Sequence, residues 1–418
     1  MTTHSTFTSA GATEPALFSS ADWFDPIEAK VRAQVRGFIE GLLEAELEAV
    51  LSRKRYERRG SALSEDPPPS AGHRHGHRER TLMGTFGAVE LAVPRARLAT
   101  EAGPTTEWKN KTIPAYQRRT KEAEALIASA YLSGTNTRRV KRALGALFKG
   151  AVGKDVVSRV WRKVKTDWQA WSRRDLTNEP VVRLILDGTV VRVRLDKKST
   201  SISLLVALGI RADGQKVLLA IKDMGGESEA AWRALLDDLV ARGLRDPEFV
   251  IVDGAPGLEK ALAALWPNAP LQRCTVHKHR NLLAHAPERL HEEISSDYSD
   301  MIYAKSAKEV MAKRRAFLAK WRLKHRAVAD SLEEAGDRLF AFLRLPSEQW
   351  KSARTSNAIE RLHEEFKRRI KTQALLPCAE TAAMLFWALM ASGQITMRKI
   401  DGWQTMSHGV DQAVDLAA

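Results

Sequence analysis

The chain has 418 residues, with 66 Lys and Arg against 51 Asp and Glu, so its formal net charge is +15 at pH 7. An apolar fraction of 44% predicts a folded protein, and the length allows several domains. Two cysteines exclude a disulfide scaffold and favour a reducing compartment. With no apolar run near the roughly 18 residues of a membrane span and no visible secretory signal, we expect a soluble, cytoplasmic protein whose charge favours a polyanionic partner.

The N-terminal part is expected to be disordered over residues 1–25, which are rich in Thr, Ser and Ala. Apolar residues at helical spacing then predict a long helix over residues 26–59. In residues 72–78 three histidines alternate among arginines. Because no cysteine accompanies them, this pattern favours a phosphate contact or a plain loop over a metal site. Residues 85–93 alternate like a short strand that stops at Pro94.

Positive charge is concentrated between residues 95 and 165, where 17 Lys and Arg stand against five acids, a net charge of +12. Helical patterns at residues 120–132 and 135–148, and a third from Asp155, are separated by turns that contain glycine. Short helices with a basic face predict a helix-turn-helix-like DNA-binding region, because phosphate contacts need concentrated cations. A basic helical bundle without a specific ligand is the alternative. The candidate DNA contacts are Arg118, Arg119, Arg138, Arg139, Lys141, Arg142, Arg159 and Lys163.

Strand-like runs become frequent from residue 180. Apolar or alternating segments predict strands at residues 181–186, 190–195, 201–210, 217–221, 249–252 and 271–276. Helical patterns run from about residue 227 to Gly243 and over residues 257–265, and residues 282–343 favour helices throughout. The order of these elements predicts a mixed α/β, or α+β, fold with a helical insertion.

Two aspartates, Asp187 and Asp253, each close an apolar strand and each precede a glycine. An acid at such a position emerges at the sheet edge where ligands bind in open α/β sheets, although Asp-Gly is also a common turn. Beside a candidate DNA-binding region, the two acids suggest a metal site, since Mg²⁺ prefers hard oxygen ligands.

A third acid is expected from a late helix that Thr355 or Ser356 can cap and that runs to about Lys371. Ile359, Leu362, Phe366 and Ile370 form its inward stripe. Glu360 adjoins this stripe, and Glu364 and Glu365 are rivals by spacing alone. The cations of this helix suit a phosphate backbone, and its candidate DNA contacts are Lys367, Arg368 and Arg369.

A longer and more specific pattern runs through residues 253–258 (DGAPGL), 266–269 (WPNA) and 272–277 (QRCTVH). Together with residues 356–360 (SNAIE), it resembles the mutator-type transposases of bacterial insertion sequences, which are DDE enzymes. The similarity extends over about residues 75 to 375. At Leu265 the chain departs from the family, which usually has a small residue at that position.

The resemblance implies a ribonuclease-H-like catalytic sheet that is interrupted by an all-α insertion and preceded by the DNA-binding region. The family segment selects Glu360 over its two rivals. The implied catalytic and metal-binding triad is Asp187, Asp253 and Glu360, with Cys274, His277 and Asn357 as active-site neighbours. Cys274 and His277 correspond to a family Cys-x-x-His element, which has no second pair to complete a zinc site. Two Mg²⁺ (or Mn²⁺) ions are expected to serve phosphoryl transfer.

Six segments follow from these patterns. The expected boundaries are a disordered segment at 1–25, a helical region with a short strand at 26–94, a basic helical DNA-binding domain at 95–178, a catalytic domain at 179–277 plus 351–395, a helical insertion at 278–350 and a C-terminal tail at 396–418.

By resemblance, the chain would bind the terminal inverted repeats of an insertion sequence and catalyse metal-dependent strand cleavage and strand transfer. Its expected partners are double-stranded DNA, as element ends and target, and further copies of itself at the nucleoid. A catalytically silent DNA-binding regulator is the alternative, which predicts the loss of one of the three acids, yet all three are present. A haloacid-type phosphatase would need an acid where Thr189 stands, and a P-loop would need glycine where Phe148 stands.

Overall fold

The structure is a computed structural model that describes residues 26–56, 72–100, 103–132, 140–141, 143–144, 147–148, 154–195, 198–371 and 378–411. These residues form a mixed α+β protein with two sheets, one of three strands and one of five, in agreement with the expected fold class. Most of the described residues before Arg162 form one compact unit, and those from Arg162 onward form a second. None of the described helices is long and apolar enough to span a membrane.

The first unit is built on helix α1 (Pro26–Leu51) and a hairpin of β1 (Gly72–Gly84) and β2 (Gly87–Leu98). The helix buries Leu43, Leu47 and Leu51 against the hairpin. It ends earlier than predicted, at Leu51, and Ser52 and Tyr56 then turn the chain with positive φ.

The hairpin corrects two expectations. For the histidine-containing residues 72–78 a phosphate contact or a plain loop was expected, and the structure shows that they begin the long strand β1. The second strand starts at Gly87 and passes through Pro94 to Leu98. Pro94 pairs with His77 beside a register shift of β1, and proline is tolerated at such irregular positions because the ladder hydrogen bond is already disrupted.

The rest of this unit contains β3 (Thr106–Glu107), α2 (Lys121–Leu132) and the first part of α3 (Lys154–Ser172). The strand β3 pairs with β2, so the basic region is not purely helical as expected. The helix predicted at residues 120–132 is confirmed. The helix predicted at 135–148 lies mostly outside the described residues. A separate core contains Met83, Ala123, Ile127, Val140, Phe148, Val156 and Val160.

The second unit is centred on a five-stranded sheet in the order β6-β5-β4-β7-β8. Its strands are β4 (Val181–Leu195), β5 (Lys198–Arg211), β6 (Lys216–Asp223), β7 (Phe249–Val252) and β8 (Leu271–Arg273). The first three are antiparallel, whereas β7 is parallel to β4 and β8 is parallel to β7. The two apolar runs that were predicted as separate strands at 181–186 and 190–195 are thus one continuous strand, because β5 pairs with β4 on both sides of Asp187.

One face of this sheet is covered by α4 (Glu229–Ala241) and α5 (Pro256–Leu265). Leu184 and Leu186 of β4 share a core with Trp232 and Leu235 of α4. Because side chains alternate along a strand, Ile185 and Asp187 point to the opposite face.

The helical stretch expected after residue 282 is observed. The remaining helices are α6 (Thr275–Ala284), α7 (His291–Ile302), α8 (Ala307–Lys324), α9 (Arg326–Ala335), α10 (Trp350–Ala353), α11 (Asn357–Ile370) and α12 (Ala379–Ala391). Helix α11 packs on β4, and its Phe366 contacts Phe386 of α12 with 4.6 Å between ring centroids. These two helices cover the face to which Asp187 points.

Candidate active site

Asp187 lies within β4, where it pairs with Val206 of β5, and not at the end of a strand as predicted. The side chain is nearly buried, and the residue is 6% exposed. The parallel pairing of β4 with β7 stops at Leu186, which is paired with Val252. Asp187 is therefore the first residue of β4 beyond its pairing with β7, at a point of the sheet where β7 has ended.

Asp253 directly follows β7, as predicted, and so lies beside Asp187 at this position. Its Oδ1 accepts a hydrogen bond of 2.9 Å from the backbone N–H of Ala255. Burial, and then the charge of Asp187, raise the pKa of Asp253 above its ordinary value despite this hydrogen bond. The two aspartates thus form a partly buried pair of like charges.

Glu360 lies in the first turn of α11, whose predicted inward stripe is buried at Ile359, Leu362, Phe366 and Ile370. Ser356 stands at the N-cap position, but its hydroxyl does not cap the helix and instead donates to Glu360 Oε1 at 3.0 Å. The same oxygen is 3.5 Å from His277 Nδ1.

Glu364 and Glu365, the two alternatives to Glu360, have different surroundings from Glu360. Glu364 is exposed, and Glu365 pairs with Arg368 at 2.6 Å. Of the three acids on this helix, Glu360 faces His277. The negative charge of Asp187 also contributes to raising the pKa of His277.

The Cys-x-x-His element connects β8 to Glu360. The strand ends at Arg273, earlier than predicted, and His277 lies in the first turn of α6. Cys274 is fully buried, and its Sγ accepts a hydrogen bond of 3.3 Å from the backbone N–H of Ser356. Ligand atoms of Cys274, His277 and Glu360 lie within 4.8 Å of one another.

Cys274 and His277 of this element each change the pKa of the other. The hydrogen bond with Cys274, and then the charges of Cys274 and Glu360, raise the pKa of His277 to about 9. Burial alone would raise the pKa of Cys274, but hydrogen bonds with His277 and Ser356 outweigh it and lower that pKa. At neutral pH His277 is therefore a cation that lies among acids of the site.

Glu227 is an acid that the sequence analysis did not select. Its carboxylate lies over Gly188, and a Cβ at position 188 would overlap it. Burial, then the charges of Asp253 and Asp187, raise the pKa of Glu227. The only sequence signal is Gly188 itself, since an isolated glycine within a strand can mark the close approach of another group, and it does not point to Glu227.

His363 was also missed, although it follows Glu360 by three residues on the buried side of α11. Its Nδ1 lies 3.3 Å from Asp187 Oδ2, and the residue is 5% exposed. The ring packs edge-on against Phe386. Its Nε2 has no hydrogen-bond partner among the described residues, and Nδ1 is close enough to Asp187 Oδ2 to donate to it.

Two residues of the sequence motif, Gly257 and Gln272, hold the elements around these acids together. A Cβ on Gly257 would lie 2.9 Å from the backbone N of Glu229, so glycine allows α5 to pack closely on the segment that carries Glu227. Gln272 is fully buried, donates to the carbonyl of Leu339 at 2.8 Å and accepts from the N–H of Phe342 at 2.7 Å. It thereby fixes β8 to the chain that leads from the helical insertion back to α11.

Asn357 and the candidate DNA contacts lie in several parts of the chain. Asn357 is exposed and lines a basic groove with Ala358 and Arg361. The side chain of Arg119 is only 9% exposed and pairs with Glu124 at 3.3 Å, an arrangement that favours a structural role. Arg138, Arg139 and Arg142 lie outside the described residues. The exposed candidates are Arg118, Lys141, Arg159, Lys163, Lys367 and Arg368, whereas Arg369 is half-buried and donates to the carbonyl of Gln394.

Comparison with known proteins identifies the family of the chain. The family model described as "Transposase, Mutator family" matches residues 16–397. The chain belongs to the mutator family of transposases. The transposase of insertion sequence element ISRM5 from Rhizobium meliloti is 32% identical over 81% of this chain and 83% of that protein. The transposase of IS256 in transposon Tn4001 from Staphylococcus aureus is 28% identical over 81% and 84%, and that of IS905 from Lactococcus lactis is 29% identical over 74% and 77%.

Proposed function

We propose that this mutator-family transposase is a DDE enzyme that binds the terminal inverted repeats of its insertion sequence and catalyses metal-dependent strand cleavage and strand transfer. The observation that carries the proposal is the proximity of Asp187, from the middle of β4, to Asp253, from the end of β7, at the face covered by α11. Glu360 belongs to the same neighbourhood through His277, whose pKa responds to Glu360 and Asp187.

The donor set fits a hard divalent cation. Asp187, Asp253 and Glu360 supply carboxylate oxygens, the ligands that Mg²⁺ and Mn²⁺ prefer. Burial and then like charges raise the pKa values of Asp253 and Glu227, and a bound cation would relieve the repulsion between the charges. We propose that the three acids hold two ions. When bound, such ions activate the attacking oxygen and stabilise the leaving oxygen in phosphoryl transfer.

The chain's own residues orient the acids. Nδ1 of His363 lies 3.3 Å from one oxygen of Asp187, which leaves the other oxygen for a ligand. The N–H of Ala255 similarly fixes one oxygen of Asp253. Ser356 and His277 both contact Oε1 of Glu360, whereas Oε2 lies 3.8 Å from the exposed guanidinium of Arg280.

The architecture supports the remaining parts of the proposal. Three antiparallel strands, followed by two that run parallel to the first, support a ribonuclease-H-like sheet. We further propose a helix-turn-helix-like mode of DNA binding for the basic region, an oligomeric complex on DNA, and action in the cytoplasm at the nucleoid. The presence of all three acids, with Asp187 beside Asp253 in the sheet, argues against a catalytically silent regulator.

The decisive experiment compares wild type with Asp187→Asn on DNA that carries the ends of its own element. Wild type is expected to cut in Mg²⁺ and not in EDTA, whereas Asp187→Asn binds the same DNA without cutting it. Asp237→Asn, which changes an acid of α4 that pairs with Arg233, is the matched control and should cut normally. Cleavage by Asp187→Asn at the wild-type rate would refute the proposal.

A further inference from the structure

Three side chains that bind metals in proteins converge from different elements of the second unit. Cys274 directly follows β8, His277 lies in the first turn of α6, and Glu360 comes from the first turn of α11. One ligand atom of each residue, a sulfur, a ring nitrogen and a carboxylate oxygen, lies within 4.8 Å of the other two. The sequence shows only the Cys-x-x-His part of this group, because Glu360 joins it through the tertiary fold.

The separations of these atoms suit a tetrahedral metal ion. Zinc bonds of about 2.0 Å to nitrogen and oxygen, and of about 2.3 Å to sulfur, place neighbouring ligand atoms about 3.3 to 3.6 Å apart. His277 Nδ1 and Glu360 Oε1 are already 3.5 Å apart. The other pairs are no more than 4.8 Å apart, and rotation of the His277 or Glu360 side chain would bring them closer. Three protein ligands and one water complete a four-coordinate site.

The surroundings hold the sulfur in place and leave the other two ligands accessible. Cys274 is fully buried, and its Sγ accepts a hydrogen bond of 3.3 Å from the backbone N–H of Ser356. Backbone groups that donate to a metal-bound thiolate orient it in the same way. The side chains of His277 and Glu360 are 31% and 21% exposed, so an ion can enter from their side.

The donor set favours a different cation from the one proposed for Asp187 and Asp253. Mg²⁺ prefers hard oxygen ligands, whereas Zn²⁺ and Co²⁺ bind thiolate and imidazole as well as carboxylate. Glu360 is the residue that both sets would use. Its Oε1 faces His277 and Ser356, so an ion bound to Cys274 and His277 would take this oxygen.

We propose that Cys274, His277 and Glu360 form a second metal site, which binds borderline-soft divalent cations such as Zn²⁺, and that its occupation inhibits cleavage by withdrawing Glu360 from the catalytic ions. The inhibition rests on the proposed function, because it requires Glu360 to hold a catalytic ion. The binding of the cation does not depend on that function. A carboxylate that is bound to Zn²⁺ gives less negative charge to a neighbouring ion, so the catalytic site loses one of its three acids.

The first test titrates the full chain with Co²⁺ in the absence of DNA and records its absorption. A thiolate bound to Co²⁺ gives a charge-transfer band in the near ultraviolet that nitrogen and oxygen ligands do not give. Wild type and Cys378→Ser, which removes the exposed cysteine, should show this band equally, and Cys274→Ser should lack it. Co²⁺ bound by the histidines of β1 would not contribute to the band. Its absence in wild type, or its persistence in Cys274→Ser, would overturn the proposal.

The second test examines Glu360 with variants that keep both cysteines. Glu360→Gln should weaken Co²⁺ binding, measured from the same band, at least about tenfold, because even groups that only support a metal ligand contribute about 10- to 100-fold. Glu364→Gln changes an exposed acid of the same helix and should bind Co²⁺ like wild type. Equal affinities of wild type and Glu360→Gln would overturn the three-ligand site, whether or not Cys274→Ser folds.

The third test measures Mg²⁺-dependent cleavage of element-end DNA at increasing Zn²⁺ concentrations, with each protein compared with its own rate without Zn²⁺. Half-inhibition of Cys274→Ser should require at least about tenfold more Zn²⁺ than half-inhibition of wild type or Cys378→Ser. Equal sensitivity of all three proteins would overturn the inhibitory role. Failure of wild type to cleave without Zn²⁺ would count against the proposed function, whereas the Co²⁺ band would still test the metal site.

Discussion

The candidate active site joins two regions that hold their acids by different means. In the sheet, backbone pairing fixes Asp187 and Asp253, since β4 and β7 are in register up to Leu186 and Val252. On α11, side-chain contacts hold Glu360, through Ser356 and His277. The pair His363–Asp187 connects the two regions directly. The difference teaches that the Glu360 carboxylate can be displaced by removing one side-chain contact, whereas the sheet acids move only if the strand itself is disturbed.

The largest effect short of removing an acid is expected from disturbing the strand. Gly188→Ala would place a Cβ against the Glu227 carboxylate, which is the flexible end of its side chain, and would displace it from beside β4. We expect cleavage to fall about 100-fold, since a displacement of about 1 Å at an active site has effects of this size. Gly226→Ala is the control, because a Cβ there meets no atom within 4 Å. Equal cleavage rates for the two variants would mean that the carboxylate and β4 are not closely packed.

A smaller loss of cleavage is expected from removing the His363–Asp187 contact, which connects α11 to the sheet. His363→Leu retains an apolar group beside Phe386 but removes the donor to Asp187, and should lower cleavage about tenfold and weaken Mn²⁺ binding to the same extent. His363→Asn keeps an N–H donor and should recover part of both losses. Calorimetric titration with Mn²⁺ in the absence of DNA provides a readout independent of turnover. If both variants bind Mn²⁺ like wild type, His363 contributes only packing and does not orient Asp187 for metal binding.

Much of the sheet and of α11 could be predicted from the sequence, because apolar periodicity reports burial directly. The strand at residues 249–252, Asp253 after it and the buried stripe of α11 are all observed. Asp187 was misread as a strand end because Asp-Gly signals a turn locally, whereas pairing with β5 carries the strand onward. The strand β1 was missed for a related reason, since its polar histidines and arginines acquire strand structure only by pairing with β2.

The contacts that orient the acids could not be predicted from spacing. Glu227 and Gly188 are far apart in sequence, and their proximity depends on how α4 and α5 cover the sheet. The family pattern selected Glu360 among three acids of one helix; its contact with Ser356 is local, four residues apart, whereas its contact with His277 depends on tertiary packing. Local patterns therefore supplied candidate residues, and tertiary packing supplied their partners.

The most direct test of the central claim, that acids from the sheet and from α11 form one metal site, is Mg²⁺-dependent cleavage of element-end DNA by Glu360→Gln and Glu364→Gln. Both substitutions remove one charge from the same helix. The account predicts that Glu360→Gln lowers cleavage by at least about 1,000-fold, because it removes several kcal/mol of transition-state stabilisation, while Glu364→Gln cuts at the wild-type rate. Normal cleavage by Glu360→Gln, or an equal loss in both variants, would contradict it.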